Sequence, residues 1–545
     1  MSIPITVGVT GHRDLREKDI PGLRELVRQE LERIQTKYPH STLVMLNSLA
    51  AGADLLCAEV AVALGIVLKC PLPIPAEEYR RDFEGKDLNR HEAMLAEAAE
   101  VFIAPDTEPV PLETSRDFHY RQAGIYVASH SHVLLALWDG ASAKPDGCGT
   151  AEAVDFVLND SYVHESCFKA ANDGAVIHIA TPRKSADVDF TLTTRLIENE
   201  PGSLRDVLSM TDSFNADCQT MISADRGANI LLPGIHIEDA TLNNLWTVYA
   251  KADRLSLRFQ QRYMCAIRCF SVFGMLLVLS YLLYDELEAN LFLLCYGLLM
   301  LAYTMACFLV RKGKFHLKYL QYRILSETLR VQFYLTAADT GTYIVNAFTW
   351  TQQQEVTWIK KAVSALLIGA PTENQIPTDA IKMAWIDGQL AYHNKALTRD
   401  LHKHLFNEKT ARWMLICSVA LFAAVLILEY LFSRTMMRSI FMKGFPAIFS
   451  RHSDQAFTVR SLMMILLGGI SAMTVFLANY YGKLSFERKS IDHKKMVRLF
   501  ASAKAIYENG QAHTETLFTE LAREEIIESG NWFSYCQENT PSFNL

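Results

Sequence analysis

Two apolar runs separated by an acidic break constrain the fold of this chain more than any other feature. The first run, Ser271 to Leu283, and the second, Ala289 to Val310, contain no charged residue, and acidic residues lie between them. A membrane-spanning helix needs roughly 20 mostly apolar residues at a rise of about 1.5 Å each. The runs therefore predict a transmembrane hairpin with spans at about 264–284 and 289–310, the first of which starts before its charge-free part.

A second hairpin follows the same plan, with predicted spans at about 413–433 and 461–481. In each copy a long helix enters the hairpin and another leaves it, within residues 241–340 and 380–545. The alternative for one hairpin alone is a buried helical pair in a large soluble protein, and the recurrence disfavours it. We predict an all-α membrane region with four transmembrane helices and long cytoplasmic helices, which is interrupted by a cytoplasmic helical insert at 341–379.

Basic residues predict the orientation of these spans. Arg311, Lys312 and Lys314 directly follow the second span. The positive-inside rule then puts the N- and C-termini in the cytoplasm. The outer loop of the second hairpin is also basic, which opposes the rule, and we interpret Met436 to Phe449 as an amphipathic interfacial segment. Because no signal peptide begins at Met1, we expect the N-terminal region to stay in the cytoplasm.

Charge and cysteine content exclude several classes of function. The chain of 545 residues has 53 basic and 60 acidic residues, a net charge of −7, so nucleic acid is not an expected partner. The eleven cysteines contain no C-x-x-C pair, and the histidines have no zinc-site spacing. We therefore expect reduced thiols, no metal site and no tightly bound cofactor.

Before residue 240 the chain alternates short apolar strands with helical stretches. The predicted strands are Ile3–Thr10, Thr42–Leu46, Ile66–Leu68, Glu100–Ala104, Val133–Trp138 and Ala175–Ala180. Alternation of this kind predicts an α/β Rossmann-like domain with an open parallel sheet, here residues 1–185. Ligands bind such sheets outside the carboxyl ends of the strands, at the point where the strand order reverses. Residues 186–240 are interpreted as a connector, with a short strand or loop at Ile230–Ile237.

Three turns at predicted strand ends carry the candidate ligand-binding residues. Glycines let a backbone approach a phosphate, and a helix N-terminus offers N–H donors to it. The candidates are Gly8, Thr10, Gly11, His12 and Arg13 in the first turn, Ser48, Gly52, Ala53 and Asp54 in the second, and Asp139, Gly140, Gly147, Gly149, Thr150 and Glu152 after the fifth strand.

Individual roles within these turns remain open from sequence. Asp54 can accept a hydrogen bond from a ribose hydroxyl, cap its helix, or do both. Thr150 is suited to be both a helix cap and a phosphate donor. His12 either contacts a phosphate or simply occupies the turn.

The order of these turns resembles the SLOG superfamily, and the resemblance covers roughly residues 1–185. Its members are Rossmann-like domains related to the cytokinin-activating LOG phosphoribohydrolases, the DNA-processing protein DprA and the N-terminal region of TRPM channels. The resemblance implies binding of a nucleotide or an ADP-ribose-like signal. The hydrolases place a glutamate where this chain has Ala153, whereas Glu152 sits one place early and Cys148 interrupts the double glycine. A shift of one residue rotates a helical side chain by about 100°, so the departure favours sensing over hydrolysis.

Residues 240–545 resemble SLATT domains, which are two-transmembrane effectors that accompany SLOG sensors in bacterial conflict systems. The resemblance rests on the helix with Arg323, Glu327 and Arg330 and on the segment Glu525 to Trp532. The alternative for these charges is ordinary i,i+3 and i,i+4 pairing on one helix.

Together these features predict a multi-pass sensor-effector of the bacterial inner membrane. Its head would bind a nucleotide second messenger, and its membrane region would respond as a channel, an ion leak or a membrane disruption in antiphage defence. Because one chain supplies four spans, we expect a homo-oligomer in the lipid bilayer. One alternative is a membrane-tethered nucleotide or NAD glycohydrolase with Glu152 as its catalytic carboxylate, and another is a scaffold that has lost its ligand.

Overall fold

The computed structural model describes most of the chain. The described residues are 2–106, 115–142, 149–159, 174–185, 191–221, 231–287, 289–369, 376–430, 444–445, 457–484 and 486–538. Two compact units result. The sheet unit contains Met1–Leu255, Gln321–Ile381 and Thr514–Tyr535, and the span unit contains Ser256–Leu320, Lys382–His513 and Cys536–Leu545.

A seven-stranded sheet organises the described part of the sheet unit. Its strands are β1 (Ile5–Gly11), β2 (Leu43–Leu46), β3 (Val67–Leu72), β4 (Glu100–Ile103), β5 (Val133–Trp138), β6 (Ala175–Ala180) and β7 (Thr194–Glu198). They lie in the order β4-β3-β2-β1-β5-β6-β7. The first six pair in parallel, and only β7 is antiparallel, in the described residues. The predicted parallel sheet is confirmed, and each predicted strand has its counterpart within a few residues.

Strand β7 lies where the sequence predicted only a connector. A helix follows it in the same segment, α7 at Ser203–Gln219. Residues 231–237 form a loop, whereas Ile230 lies outside the described residues. The strand escaped detection because Thr194, Arg195 and Glu198 interrupt its apolar residues, as an edge strand allows.

Helices cover both faces of the sheet. Those of the sheet unit before residue 200 are α1 (Ile20–Lys37), α2 (Ala53–Ala63), α3 (Ala76–Tyr79), α4 (Gly85–Glu97), α5 (Arg116–His130) and α6 (Thr150–Asn159). Leu23 and Val27 of α1 and Leu55 of α2 pack into the core on one face. Tyr126 of α5 and Val154 of α6 pack into the core on the other.

Part of that second face is covered from far along the chain. The segment after the first hairpin contains α11 (Trp350–Glu355) and α12 (Thr357–Leu366). Ala365 and Ile368 join Leu46, Phe102 and Tyr126 in one buried cluster. Within the predicted insert at 341–379, these helices and the residues that follow them complete the core of the sheet unit.

Long helices make up the remainder of the described chain. They are α8 (Ala240–Leu287), α9 (Asn290–Gly313), α10 (Phe315–Ala337), α13 (Thr378–Lys382), α14 (Gly388–Tyr430), α15 (Val459–Leu484), α16 (Phe486–Glu508) and α17 (Thr514–Glu538). One π-helical turn, Met383–Asp387, joins α13 to α14. Among the described residues, four helical segments are long and apolar enough to cross a membrane, and they are Ala240–Leu287, Asn290–Ala337, Thr378–Ile427 and Ser461–Ala478. This confirms a helical region with four candidate membrane-spanning helices.

Small residues bring the spans of the two hairpins together within the span unit. A side chain at Gly274 would overlap the ring of Phe476, and one at Gly468 would overlap Leu282. Within the second hairpin, the hydroxyls of Ser418 and Ser471 lie 3.0 Å apart. Close approach through small residues is typical of helix packing in membranes. The predicted interfacial segment at 436–449 lies largely outside the described residues, apart from β8 (Gly444–Phe445), which pairs with β9 (Phe457–Thr458).

Candidate functional site

The candidate site lies at the carboxyl ends of β1 and β5. From β1 the chain runs outward through β2 and β3 to β4, and β5 then pairs with the other side of β1. This is the point where the strand order reverses. Loops that follow β1 and β5 leave the sheet in opposite directions here, which opens a crevice between them.

His12 and Asp139 meet at this crevice. The backbone N–H of Asp139 donates to Nε2 of His12 at 3.0 Å, and one carboxylate oxygen of Asp139 lies 3.3 Å from the same nitrogen. Burial lowers the pKa of His12, the charge of Arg183 lowers it further, and Asp139 acts in the opposite direction. Burial therefore favours the neutral ring, and the N–H of Asp139 is placed to donate to its Nε2.

The loop after β1 is fixed by the loop after β6. The carboxylate of Asp14 accepts hydrogen bonds from Arg183 Nε at 3.1 Å and from the Ser185 hydroxyl at 2.6 Å. Arg16 donates to the carbonyl oxygen of Arg183 at 2.9 Å. These bonds tie the first turn to the loop after β6.

Gly52 and Ala53 in the second turn allow this turn to pack closely against the first. Gly52 has φ +80°, and a Cβ there would overlap the carbonyl oxygens of His12 and Arg13. The N–H of Ala53 donates to the carbonyl oxygen of His12 at 3.1 Å. A side chain at Gly11 would overlap Ala53 and Leu137. The structure thus uses these small residues to join the first two turns.

Asn47 shapes the second turn. Its side-chain oxygen accepts from Leu49 N–H at 2.7 Å, and its amide donates to the Asp54 carbonyl at 2.8 Å. Leu49 has a positive φ of 55°, and Ser48 lies half-buried between them. Asn47 was missed from sequence, although an asparagine that bonds its own backbone two residues on is a known turn signal.

Asp54 is buried beside this turn. Gly52 precedes the helix, so Asp54 lies in the first turn of α2 and is not its N-cap. Burial raises the pKa of Asp54 to about 7, while the N–H of Ala50 and the charge of Arg13 favour the ionised form. A strongly shifted carboxyl near a crevice is a candidate for a functional role.

Arg13 points its guanidinium at an aromatic ring. The guanidinium carbon lies 5.5 Å from the ring centre of Tyr120, and the Tyr120 hydroxyl donates to Asp82. Arg116 pairs with the same carboxylate at 2.8 Å. Tyr120 and Asp82 were not predicted as part of the site, because their sequence neighbours have the composition of an ordinary solvated helix.

The third turn leads into α6. Gly147 lies outside the described residues. Gly149 precedes the helix and has open space where a side chain would be, and Thr150 begins α6. Glu152 pairs with Arg121 of α5 at 3.1 Å and also accepts the Gly149 N–H. Burial raises the pKa of Glu152, whereas Arg121 acts to lower it.

The remaining predicted residues divide between the sheet and the crevice. Gly8 lies inside β1, where a side chain would overlap Ser131 and Val127, so it serves helix packing. Thr10 precedes Gly11 at the end of the same strand. Gly140 has φ +83°, and its neighbour Ala141 donates to Asp139 at 3.0 Å. No group of three or more potential metal ligands is present in the described part of the chain.

A second polar cluster lies in the sheet unit, away from these turns. Arg330 contacts Glu525, and it pairs with Glu327 at 2.6 Å. Arg323 contacts Glu327 and reaches Asp253 at 3.3 Å. The pairing along one helix that the sequence suggested is present, and it extends to carboxylates on α8 and α17.

No protein-family model matches this chain, and no curated protein sequence matches it.

Proposed function

We propose that this chain is a membrane-bound sensor-effector whose sheet unit is a Rossmann-like, SLOG-type domain that binds a nucleotide-derived ligand. The observation that carries the proposal is the meeting of His12 and Asp139 at the reversal point of the sheet. A neutral imidazole, a carboxylate and exposed turn backbone are suited to ribose and phosphate oxygens. Strand order supports the proposal, since nucleotide-binding sheets bind at such a point.

Four candidate spans in the same chain support a membrane response. Helix α8 is continuous from Ala240 to Leu287, so a change at its first residues has an unbroken helical path to the first span. A ligand drives such a change only if it binds one conformation more tightly. By its SLATT-like resemblance the region would act as a homo-oligomeric ion channel or leak in the inner membrane of a bacterium, with cytoplasmic termini, in antiphage defence.

The test is thermal unfolding of the full chain in mild detergent with a panel of mononucleotides, cyclic nucleotides, NAD and ADP-ribose. A bound ligand raises the melting temperature by mass action. We expect one member of the panel to do so. If none shifts the transition at concentrations up to millimolar, the sensor proposal fails and the scaffold alternative gains support.

Gly149 offers a matched pair of variants for that experiment. No atom of the described residues lies within 4 Å of a Cβ at this position, so Gly149→Glu and Gly149→Gln should perturb the fold to a similar, small extent. They differ by one negative charge at the predicted phosphate cradle. We expect the glutamate to weaken binding at least tenfold more than the glutamine, and equal effects would place the phosphate elsewhere.

One alternative is a nucleotide or NAD glycohydrolase. Burial raises the pKa of Glu152, which is the direction that a general acid requires. Its ion pair with Arg121 equally suits a structural tie between α5 and α6. Glu152→Gln separates the two. Loss of product formation with ligand binding intact would establish the enzyme, whereas binding without any turnover in the unaltered chain would exclude it.

A further inference from the structure

A dense basic surface surrounds the entry and exit of the first hairpin. It consists of Arg258 and Arg262 on α8, Arg311 and Lys312 at the end of α9, and Lys314 and Lys318 around the start of α10. We call these six residues the basic collar. Neither Arg254 to Tyr284 nor Ala289 to Ser326 contains an aspartate or glutamate. The collar is therefore strongly positive over its own stretch of chain.

Aromatic side chains hold the two sides of the collar together. The guanidinium of Arg262 lies 5.5 Å from the ring centre of Phe259 and 5.8 Å from that of Phe315. The ammonium of Lys318 lies 5.3 Å from the Phe259 ring. Tyr263 packs on His316, with ring centres 4.4 Å apart. The cations of α8 and α10 are thus neighbours on one surface.

The collar has the position of a lipid headgroup layer. Arg311 and Lys312 directly follow the charge-free run of the second span, and both are exposed. Lys318 lies two turns further, roughly 10 Å along the helix axis at about 1.5 Å per residue. The collar therefore fits within the interfacial layer and about one Debye length of the membrane surface.

The second hairpin repeats the aromatic arrangement, but acidic residues lie among its cations. Lys403 and Lys489 lie 5.4 Å and 5.5 Å from the ring centre of Phe486, which begins the helix after the fourth span. Carboxylates accompany its cations, since Glu408 pairs with Arg412 and Asp400 pairs with Arg399 at 2.8 Å. The first hairpin therefore differs from the second in having no acidic residue among its flanking cations.

We propose that the basic collar is a binding surface for the phosphate headgroups of anionic phospholipids. Arg262 and Lys318 contact the headgroup while the half-buried Phe315 lies against its glycerol and upper acyl region, and the buried Phe259 supports both cations. Clustered lysine and arginine next to a span attract anionic lipid through charge, and several charges act together. The inference does not depend on the ligand of the sheet unit.

The experiment uses the full chain in mixed micelles and follows its melting temperature and lipid retention by native mass spectrometry. Phosphatidylglycerol is titrated against phosphatidylcholine, and inorganic phosphate serves as the arm that tests a free anion. We expect phosphatidylglycerol alone to stabilise the chain, with an affinity that falls as salt concentration rises. Equal effects of both lipids, or a full effect of inorganic phosphate, would overturn the proposal.

Two triple variants localise the effect. Arg262→Gln/Lys312→Gln/Lys318→Gln removes half of the collar, and Lys403→Gln/Lys409→Gln/Arg412→Gln removes the same charge from the second hairpin. We expect at least a tenfold loss of phosphatidylglycerol affinity for the first and less than twofold for the second.

Equal losses in the two triple variants would mean that net charge alone attracts the lipid, and the collar would not be the site. If the first triple does not fold, Lys312→Arg/Lys318→Arg takes its place. It keeps the charge and should keep the affinity, and a loss in this variant would equally refute the proposal.

Discussion

Replacing Arg330 by methionine tests whether the buried ion cluster is held together by this one guanidinium. Arg330 lies between two carboxylates, Glu327 at 2.6 Å and Glu525 in direct contact. Its side chain is 10% exposed and that of Glu525 is 2% exposed. Methionine fills a similar volume without charge, so the main change is electrostatic.

The expected loss of stability depends on which carboxylate loses its contact when Arg330 is replaced. Glu327 keeps its contact with Arg323, whereas the more deeply buried Glu525 loses its contact with Arg330. Breaking a buried pair by removing one partner typically costs about 3–5 kcal/mol. With an unfolding entropy of about 2.1 cal/mol/K per residue, a unit of roughly 340 residues should then melt about 4–7 °C lower.

The assay is thermal unfolding of the full chain in detergent, followed by intrinsic fluorescence. Arg330→Met/Glu525→Gln removes the Glu525 charge as well and should recover at least half of the lost stability. Arg323→Met is the matched control and should cost less, because the Arg323 side chain is 29% exposed. A double variant as unstable as Arg330→Met would refute the reasoning.

Three further predictions concern the sheet unit. Burial lowers the pKa of His130 to about 4. Between pH 6.5 and about 4 the unfolded state therefore takes up a proton that the folded state does not, and the free energy of unfolding should fall by about 3 kcal/mol. His130→Phe should make the melting temperature less dependent on pH over that range. Gly530→Ala would place a Cβ 2.6 Å from Oε1 of the buried Gln352, and the free energy of unfolding should fall by about 1–3 kcal/mol. Gly388→Ala is the control, because its nearest atom lies at 3.8 Å, and it should not destabilise the chain. A fragment that ends at residue 240 lacks α12 and should aggregate or bind a hydrophobic dye, and a monomeric, cooperatively unfolding fragment would contradict the role given to that helix.

Local patterns predicted much of this architecture because each depends on neighbouring residues. Strands buried on both faces are continuous apolar runs, and spans are long charge-free runs, so composition alone reveals them. The turn residues were also predictable, since Gly11, Gly52 and Gly140 mark strand ends. Their individual uses were not, because the close contact of Gly52 with His12 joins loops that are separated in the chain.

Contacts between residues far apart in the sequence could not be predicted, because local patterns depend only on neighbouring residues. Arg330 and Glu525 are 195 residues apart, and neither local sequence indicates that these two side chains meet. Lys361 donates to the Ser131 carbonyl at 3.0 Å across 230 residues. A buried lysine in a helical insert gives no sequence signal for the helix C-terminus that it reaches. The nucleotide ligand, the oligomer and the membrane response stay predictions.

Helix α12 is synthesised long after the strands that it covers, and this affects folding during translation. After Glu198 ends β7, the ribosome must still make the first hairpin and the chain up to Leu366 before the second sheet face is covered. At about 5–20 residues per second this takes roughly 10–30 s. During that time the apolar surface of Phe102 and Tyr126 lies open while a hairpin is being inserted. The nascent chain should therefore depend on a chaperone that holds the sheet, and translation arrested in this interval should produce chains that are degraded rapidly.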